Sequence, residues 1–361
     1  MSTATDTTET VGPSLADVVR IIPDDCYENP TAKGMWYFAR DMVMWLALVA
    51  GLIFATAWWQ VAILWVLSAY VVSGLFVLGH DAAHLALFKS RRLNEWVARV
   101  AMIPSAHVYE AWDLGHNRVH HGHTARQEMD FVWHPVTVEQ YRAMNAFQRA
   151  RHRLEWSAFG SGFYYAREVW WNKMITFRAS DKWAARIASG RRFTYITYGL
   201  LSVAVGMIGY LVSGSMAEAT WIWVRAVVVP TALFMGMIGF TVYVHHISED
   251  IRWWPRREWT KFRGQMEGTT ILHLRWPANL FFHNIFVHVP HHVDMRIPFY
   301  KLPDAADVIR ESYPDTVRDR KFRMRDWVRT TRHCKLYDFE HGEWLPYSAA
   351  RTAQPVDVTN D

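Results

Sequence analysis

Residues 61–84 read VAILWVLSAYVVSGLFVLGHDAAH, an apolar run that leads directly into two histidines, His80 and His84. No charged side chain occurs in the run before Asp81, and a helix needs ~20 apolar residues to cross ~30 Å of hydrocarbon. Histidines four residues apart lie on one face of a helix. The stretch therefore predicts a membrane span that presents a pair of imidazoles at one membrane surface.

Three more apolar runs accompany this one. The four predicted spans are residues 42–58, 61–78, 193–212 and 223–244. A short break at Trp59-Gln60 joins the first two spans and a turn at 213–215 joins the last two, so we expect two helical hairpins with Trp58 and Trp59 at an interfacial turn. Arg225, near the start of the fourth span, is expected to reach the membrane interface. Four buried helices of a soluble protein are the alternative, which the length and low charge of the runs disfavour.

The basic residues are concentrated outside the predicted spans. Of 39 Lys and Arg, 17 lie between residues 81 and 193, and 18 lie between residues 245 and 361. Both turns between paired spans lack Lys and Arg, so the positive-inside rule places both termini and the histidine-bearing segments on the cytoplasmic side. Nucleic-acid binding is a weak interpretation of the net charge of +5, because the basic residues flank membrane spans, and we expect no nucleic-acid partner.

The rest of the chain is expected to form one domain with the spans, residues 14–346. Residues 85–110 are mixed apolar and basic and predict an interfacial helix on the membrane surface. Two charged, Trp-rich segments predict a cytoplasmic helical cap, residues 135–192 and 295–346. Residues 1–13, which lack the basic start of a signal peptide, and 347–361 are expected to be disordered tails. Two cysteines are too few for a disulfide framework or a cysteine-based zinc site.

Most of the 18 histidines fall in clusters. The three clusters are His80-x3-His84, His116-x3-His120-His121 and His288-x2-His291-His292. Imidazole binds iron, zinc, copper and nickel, and a zinc ion takes three or four ligands. Eight histidines are therefore too many for one ion and about right for two, with a position left open for a small molecule. Because His80 ends the second predicted span and His246 ends the fourth, the clusters can meet at one membrane surface.

Several other residues are candidates for the same site. His245, His246 and His283 flank the clusters as further ligand candidates. Ligating histidines usually donate their second N–H to a carboxylate or carbonyl, and the acidic residues near them are Asp81, Asp130, Glu249, Asp250 and Asp294. For each carboxylate alone, a solvated surface position is the alternative. Ordinary surface or core roles are expected for His107, His134, His152, His333 and His341, whereas His123 and His273 stay open.

The histidine boxes resemble those of the membrane-bound fatty acid desaturase superfamily, most closely its acyl-lipid Δ12/ω3-type branch. The likeness covers roughly residues 40–310 and extends to the sequence around the boxes. The matching context is residues 120–124 (HHGHT), 130–135 (DFVWHP), 241–246 (TVYVHH), 283–285 (HNI) and 297–302 (IPFYKL). The second box has three residues before His120, where many acyl-lipid members have two, and the superfamily tolerates both spacings.

This resemblance implies an all-α integral membrane protein with four transmembrane helices and a cytoplasmic cap that holds a His-rich di-iron site. Its implied activity is the O2-dependent oxidation of a fatty acyl chain, foremost desaturation that introduces a C=C double bond. Removing hydrogen from an aliphatic carbon needs a redox metal, and zinc has no redox chemistry. The expected metal ligands are His80, His84, His116, His120, His121, His246, His283, His288, His291 and His292.

The expected partners are the lipid bilayer, a fatty acyl substrate and a separate electron donor. No His-Pro-Gly-Gly motif of a fused cytochrome b5 is visible, so electrons are expected from a ferredoxin, a rubredoxin or a cytochrome. A basic cytoplasmic cap suits an acidic carrier.

Other activities share this scaffold, and fold and metal ligands do not separate them. The alternatives are a hydroxylase, an acetylenase, a carotenoid ketolase and a terminal-olefin-forming fatty acid decarboxylase. The choice depends on the residues of the substrate tunnel, for which the candidates are Trp112, Tyr164, Trp170, Trp171, Thr241 and Phe282. A metal transporter or sensor is an alternative from another class, which the near absence of ionisable groups inside the spans disfavours.

Overall fold

The computed structural model describes residues 12–275 and 277–352, which are mostly helical. The N-terminal third forms α1 (Leu15–Ile21), a 3-10 turn (Asp24–Tyr27), α2 (Thr31–Phe54), α3 (Trp58–Ala83), α4 (Arg91–Ala101), α5 (Tyr109–Trp112), a π-helix (Asp113–His120) and α6 (His121–His123). The middle forms α7 (Val138–Ala143), α8 (Ala146–Glu155), α9 (Ser161–Tyr164), a second π-helix (Tyr165–Ile175), α10 (Asp181–Ser213), α11 (Met216–Trp223), a π-helical segment (Val224–Val228) and α12 (Val229–His246).

The C-terminal part combines short helices with short strands. It forms α13 (Lys261–Glu267), β1 (Ile271–His273), α14 (Asn279–Phe282), α15 (His288–Val293), a 3-10 turn (Phe299–Lys301), α16 (Leu302–Ser312), β2 (Asp319–Lys321), α17 (Met324–His333), β3 (Leu336–Asp338), β4 (Glu343–Leu345) and α18 (Ala349–Thr352). β1 pairs in parallel with β2, and β3 pairs antiparallel with β4. These two small sheets were not predicted, since three-residue strands leave too little alternation to detect.

Among the described residues, four helices are long and apolar enough to cross a membrane, which agrees in number with the four predicted runs. They are Thr31–Phe54, Trp58–Ala83, Asp181–Ser213 and Met216–His246, where the last combines α11, the π-helical segment and α12. α3 is the central one and packs against α2, α4 and α12. Its residues 71–84 are all buried, so the first histidine box ends the most enclosed helix of the fold.

The helix ends differ from the prediction for identifiable reasons. The break between the first two spans lies at 55–57 and not at Trp59-Gln60, because the Gln60 side chain accepts hydrogen bonds from the backbone N–H groups of Thr56 and Ala57 at 3.0 Å. Gln60 therefore stabilises the start of α3. α10 begins at Asp181 and not near residue 193. The charged residues before residue 193 lower the hydropathy from which the span was predicted, but they do not interrupt the helix.

The turn at 213–215 is confirmed. Gly214 adopts the left-handed conformation, with φ +67°, that ends a helix most readily at glycine, and its N–H donates to the carbonyl of Tyr210 at 2.8 Å. Ser215 then accepts a bond from the Glu218 N–H and caps α11.

Arg225 is buried in the helix bundle, and its expected reach to the membrane interface stays a prediction. The fourth helix begins at Met216, which places Arg225 well inside it. The guanidinium donates to the carbonyl of Ile53 at 2.9 Å. That carbonyl lies in the last turn of α2, where backbone oxygens lack helical partners, so Arg225 joins the two halves of the bundle.

The predicted tails fall largely outside the described ranges. Residues 1–11 and 353–361 are not described, and disorder there stays a prediction. Before that end, the ring of Tyr347 stacks on Tyr141 with centroids 5.0 Å apart. Both cysteines, Cys26 and Cys334, are buried free thiols.

Candidate metal centre

Four chain-distant segments bring their histidines together at one end of the helix bundle. The segments are the end of α3 with His80 and His84, the first π-helix and α6 with His116, His120 and His121, the end of α12 with His245 and His246, and α15 with His288, His291 and His292. All but His116 are buried, and His116 is partly exposed. The three predicted boxes therefore do meet, and the end of α12 joins them.

Five of these histidines form the first group. Its members are His80, His84, His116, His121 and His291, whose nearest ring nitrogens all lie within 4.8 Å of one another. The Nε2 atom of His116 is 3.2 Å from that of His80 and 3.1 Å from that of His121. The Nε2 atoms of His121 and His291 are also 3.1 Å apart. Ions bound to imidazole at ~2.1 Å hold neighbouring ligand nitrogens roughly 3 Å apart, so the spacing suits a single ion.

The π-helix explains how the second box divides between groups. A π-helix has i→i+5 hydrogen bonds, as from the His121 N–H to the His116 carbonyl, so residues five apart come onto one face of the helix. His116 and His121 accordingly share the first group, whereas His120 points elsewhere. A regular α-helix would instead align His116 with His120, which is the pairing that the sequence suggested.

Two smaller groups lie beside the first and share His246. One contains His120, His246 and His292, and the other contains His245, His246 and His288. The ring centroids of His121 and His292 are 4.4 Å apart, so the first group and its neighbours form one continuous cluster. The sequence offers His245 and His246 as alternative ligands, and the structure brings both into the cluster.

Several buried nitrogens of the cluster lack hydrogen-bond partners among the described residues. They are both ring nitrogens of His84, Nδ1 of His291, and Nε2 of His120, His245 and His292. A buried polar atom without a partner costs about 1–3 kcal/mol. Converging, unpartnered imidazole nitrogens are the donor set that a transition-metal ion satisfies, so these residues fit a metal centre.

Hydrogen bonds behind the cluster fix which nitrogen faces inward. Nδ1 of His80 lies 3.0 Å from the Asp81 carboxylate, and Nδ1 of His120 lies 2.9 Å from that of Asp130. In the same way, Nδ1 of His246, His288 and His292 bonds Gly268 O, Ile285 O and Gln265 Oε1 at 2.8–3.0 Å. When Nδ1 carries the donated proton, Nε2 offers its lone pair to a metal.

Asp81 and Asp130 therefore take the predicted supporting positions, and the other three carboxylates do not. Their partners lie elsewhere: Glu249 faces Arg329, Asp250 faces Arg320 and Asp294 bonds Arg296. Gln265 supports His292 in the way that the carboxylates support their histidines, and it was not predicted. It lies on α13, and no spacing in the sequence connects it to the third box.

His283 lies outside the three groups. Its Nε2 is 2.6 Å from the carboxylate of Asp41 on α2, and Arg40 bonds the other oxygen of that carboxylate. The pair needs the absence of a side chain at Gly74, where an added Cβ would lie 3.0 Å from the Asp41 carboxylate. His283 and Asn284 both have positive φ, which marks a tight bend of the backbone just before the third box. The contact between His283 and Asp41 anchors this bend.

The isolated histidines have partners away from the cluster. His107 is buried and bonds the hydroxyl of Tyr165 at 3.0 Å, and burial lowers its pKa to about 4. His152 bonds the hydroxyl of Tyr347, and burial lowers its pKa to about 3. His273 faces Asp319, and His123 bonds the carbonyl of Val119. We assign none of them to the metal centre.

Burial also controls the charge of the cluster. It lowers the pKa of His84, His116, His121, His291 and His292 well below the usual histidine value, and neighbouring histidines lower it further because their positive charges repel one another. These five imidazoles are therefore neutral at pH 7, which is the form that binds a metal.

An apolar cavity borders the cluster. Its lining includes six histidines of the cluster, His80, His116, His120, His245, His246 and His288, and apolar groups that include Phe76, Phe131, Val169, Met174, Ile238 and Ile285. Of the predicted tunnel residues, Trp112 and Thr241 line this cavity. The Trp112 ring stacks on His116 with centroids 4.0 Å apart. Thr241 donates its hydroxyl to the carbonyl of Met237, which leaves its methyl group to line the cavity.

The other predicted tunnel residues lie elsewhere. Tyr164 lines a neighbouring cavity with Glu128 and Glu168, and Phe282 lines a groove on another face. Trp170 donates to the carbonyl of Ala106 at 2.8 Å, and Trp171 is half exposed. The apolar lining residues Phe76 and Ile238 were not predicted, since nothing in their local sequence distinguishes them from other span residues.

Comparison with known proteins agrees with this site. The chain is 28% identical over 335 residues to the sn-1 oleoyl-lipid 12-desaturase of Synechocystis sp., covering 91% of this chain and 90% of the relative. It is 26% identical over 321 residues to the sn-1 acyl-lipid omega-3 desaturase (ferredoxin) of Nostoc sp., covering 82% and 80%. It is 26% identical over 355 residues to the chloroplastic omega-6 fatty acid desaturase of Arabidopsis thaliana, covering 95% and 74%.

The family model described as Fatty acid desaturase matches residues 56–323, which include the three histidine boxes and all four segments of the cluster. The predicted resemblance is thereby confirmed. The chain belongs to the fatty acid desaturase family and is an oxidoreductase of that family.

Proposed function

We propose that this membrane protein uses two non-haem iron ions and O2 to introduce a C=C double bond into a lipid-linked fatty acyl chain. The observation that carries the proposal is the convergence of the histidine cluster on the wall of an apolar cavity. When bound there, iron supplies the redox chemistry for removing hydrogen from unactivated methylene groups, which no side chain provides. The named relatives act on oleoyl and other acyl lipids, which supports this substrate class.

The five-histidine group is our proposed ligand set for one ion. For the other ion we propose His120, His246, His288 and His292, with His245 beside them. His283 is excluded from both sets, because its Nε2 bonds Asp41. Asp81, Asp130 and Gln265 act as positioning residues that keep Nδ1–H donation fixed and Nε2 directed inward.

The cavity walls supply orientation and exclude water. An acyl chain along Phe76, Val169 and Ile238 replaces water next to the cluster with apolar contacts. The cavity shares Phe131 and Lys173 with the neighbouring cavity that Glu128 and Glu168 line, and we take that polar end as the entrance for the lipid. Which methylene pair reacts then depends on how far the chain reaches past Trp112.

The proposed topology has the four spans as two hairpins, with the cluster, the helical cap and both termini on the cytoplasmic side, and with residues 14–346 as one domain. The distribution of Lys and Arg supports this orientation. It gives a soluble electron donor access to the cluster side of the membrane. The Nostoc relative is named as a ferredoxin enzyme, so we propose a ferredoxin ahead of a rubredoxin or a cytochrome.

Expression in a host of known lipid profile tests the activity. Gas chromatography with mass spectrometry is expected to show fatty acids that have lost two hydrogens, with His291→Ala inactive and the exposed His341→Ala active. An added oxygen, or a chain one carbon shorter with a terminal alkene, contradicts desaturation. Full activity of His291→Ala contradicts the proposed ligand set.

A further inference from the structure

A wide groove lies on the opposite face of α12 from the metal-side cavity. Met237 and Phe240 line the groove, whereas Ile238 and Thr241 line the cavity. We call it the aromatic groove after its lining rings, Tyr70, Phe240, Phe282, Phe286, Phe322 and Trp327. Its volume of about 1010 Å³ is that of a large ligand pocket.

The lower part of the aromatic groove lies at the depth of the membrane spans. Tyr70 precedes His80 by ten residues on α3, and Gly236 precedes His246 by ten residues on α12. At 1.5 Å per residue, both lie about 15 Å along their helices from the metal cluster. That distance is about half of a ~30 Å hydrocarbon core, so acyl chains reach this part of the groove and a soluble protein does not.

Glycines open the floor of the groove. Gly162 of α9 and Gly236 of α12 approach so closely that a Cβ added at Gly162 would lie 2.8 Å from the Gly236 Cα. A Cβ added at Gly236 itself would meet no atom within 4 Å. A larger side chain at Gly236 therefore projects into the groove without a backbone clash.

The upper rim of the groove is cationic. Arg275, Arg323 and Arg325 line it and are exposed. Within the described part of the chain, Arg275 and Arg323 have no carboxylate partner, while Arg325 lies 3.7 Å from Asp326. Unpaired arginines beside an apolar groove at a membrane surface are complementary to an anionic lipid headgroup.

Exposed apolar side chains continue from the rim into the surrounding surface. Phe159 is 91% exposed and Met324 is 58% exposed, and both line the groove. Such side chains beside arginines are typical of a surface that contacts the headgroup–acyl boundary of a bilayer.

We propose that the aromatic groove binds one anionic glycerophospholipid, with its phosphate on Arg275 and Arg323 and an acyl chain along Phe240 and Phe286. This site is separate from the cavity of the proposed reaction and does not rest on the proposed function. The lipid packs against the wall of the metal cluster, because the Phe286 ring lies 4.9 Å from that of His245.

Native mass spectrometry of the full-length protein from nanodiscs tests the proposal, with phosphatidylglycerol and phosphatidylcholine as probes. We expect one phosphatidylglycerol retained per chain and about tenfold weaker retention of phosphatidylcholine, a difference of about 1.4 kcal/mol. The exposed double variant Arg275→Gln/Arg323→Gln should lose this preference, and Gly236→Leu should lose both lipids. Arg256→Gln/Arg257→Gln is the matched control, since these exposed arginines do not line the groove and should leave retention unchanged.

Equal retention of the two lipids overturns the proposal, as does a rim variant that keeps the preference. If phosphatidylcholine is retained as strongly as phosphatidylglycerol and Gly236→Leu abolishes both, the groove holds an acyl chain without recognising the headgroup, which also overturns the proposal. If the rim variant impairs reduction by an acidic electron carrier but keeps the lipid preference, the rim is a protein-docking surface instead. The rim variants are exposed, so the test stands even if Gly236→Leu does not fold.

Discussion

Asp130→Asn should weaken metal binding without removing a metal ligand. The buried Asp130 carboxylate accepts three hydrogen bonds, from Nδ1 of His120 at 2.9 Å and from the backbone N–H groups of Ala125 and Val132 at 2.9 and 3.1 Å. An asparagine has one acceptor oxygen where the carboxylate has two. Either the Ala125 N–H, or both His120 Nδ1 and the Val132 N–H, must therefore face an amide NH2 group.

Both orientations of the asparagine are unfavourable. If its NH2 faces the Ala125 N–H, a buried donor loses its partner, which costs about 1–3 kcal/mol. If its NH2 faces His120, Nδ1 has to accept the bond, so the ring proton moves to Nε2 and blocks the nitrogen that should bind metal. A loss of about 1.4–2.8 kcal/mol corresponds to roughly a 10- to 100-fold weaker affinity, which is the usual effect of removing such a supporting carboxylate.

Competition with a chelator measures this effect directly. Purified wild type and Asp130→Asn are titrated with the chelator, and iron retained per chain is counted by elemental mass spectrometry. Asp338→Asn is the control, because Asp338 forms a comparable pair with His341 at 2.8 Å outside the cluster. If Asp130→Asn holds iron as tightly as the wild type, our explanation of how His120 is oriented is wrong.

Two further predictions concern stability. Gly190→Ala should lower the apparent Tm, because the added Cβ would clash with the Glu110 carboxylate that pairs with Arg99, and such overpacking costs about 1–3 kcal/mol. Gly199→Ala on the same helix meets nothing within 4 Å and should be neutral, so equal shifts would contradict the contact. Burial lowers the pKa of Lys335 from 10.5 to about 8. Between these two pH values the unfolded chain binds more protons than the folded chain, so the apparent Tm should gain a favourable contribution as the pH rises through that window. Lys335→Met should lose this contribution, and an unchanged pH dependence of Tm would contradict the shift.

The parts of the site that follow from local spacing could be predicted from the sequence. A histidine pair at the end of an apolar run, such as His80 and His84, already indicates both a helix face and a membrane surface. The second box was predicted as a set, but its division was not, because a π-helix changes which residues align. No spacing rule in the sequence indicates that a π-helix replaces an α-helix at the second box.

Contacts between distant segments could not be predicted. Gln265 supports His292 from 27 residues away, and Asp41 pairs with His283 across 242 residues. The sequence next to His283 matched a ligand context, yet the contact with α2 decides where its ring points. The same holds for Arg225, whose partner on α2 lies 172 residues earlier.

Counting the iron bound to each chain tests the central claim most directly. After expression with iron supplied, elemental mass spectrometry of the purified protein should find two iron ions per chain. His120→Ala, which leaves the five-histidine group intact, should lower the count towards one. A wild-type count of one or none, a count dominated by zinc, or two irons retained in His120→Ala would contradict the account.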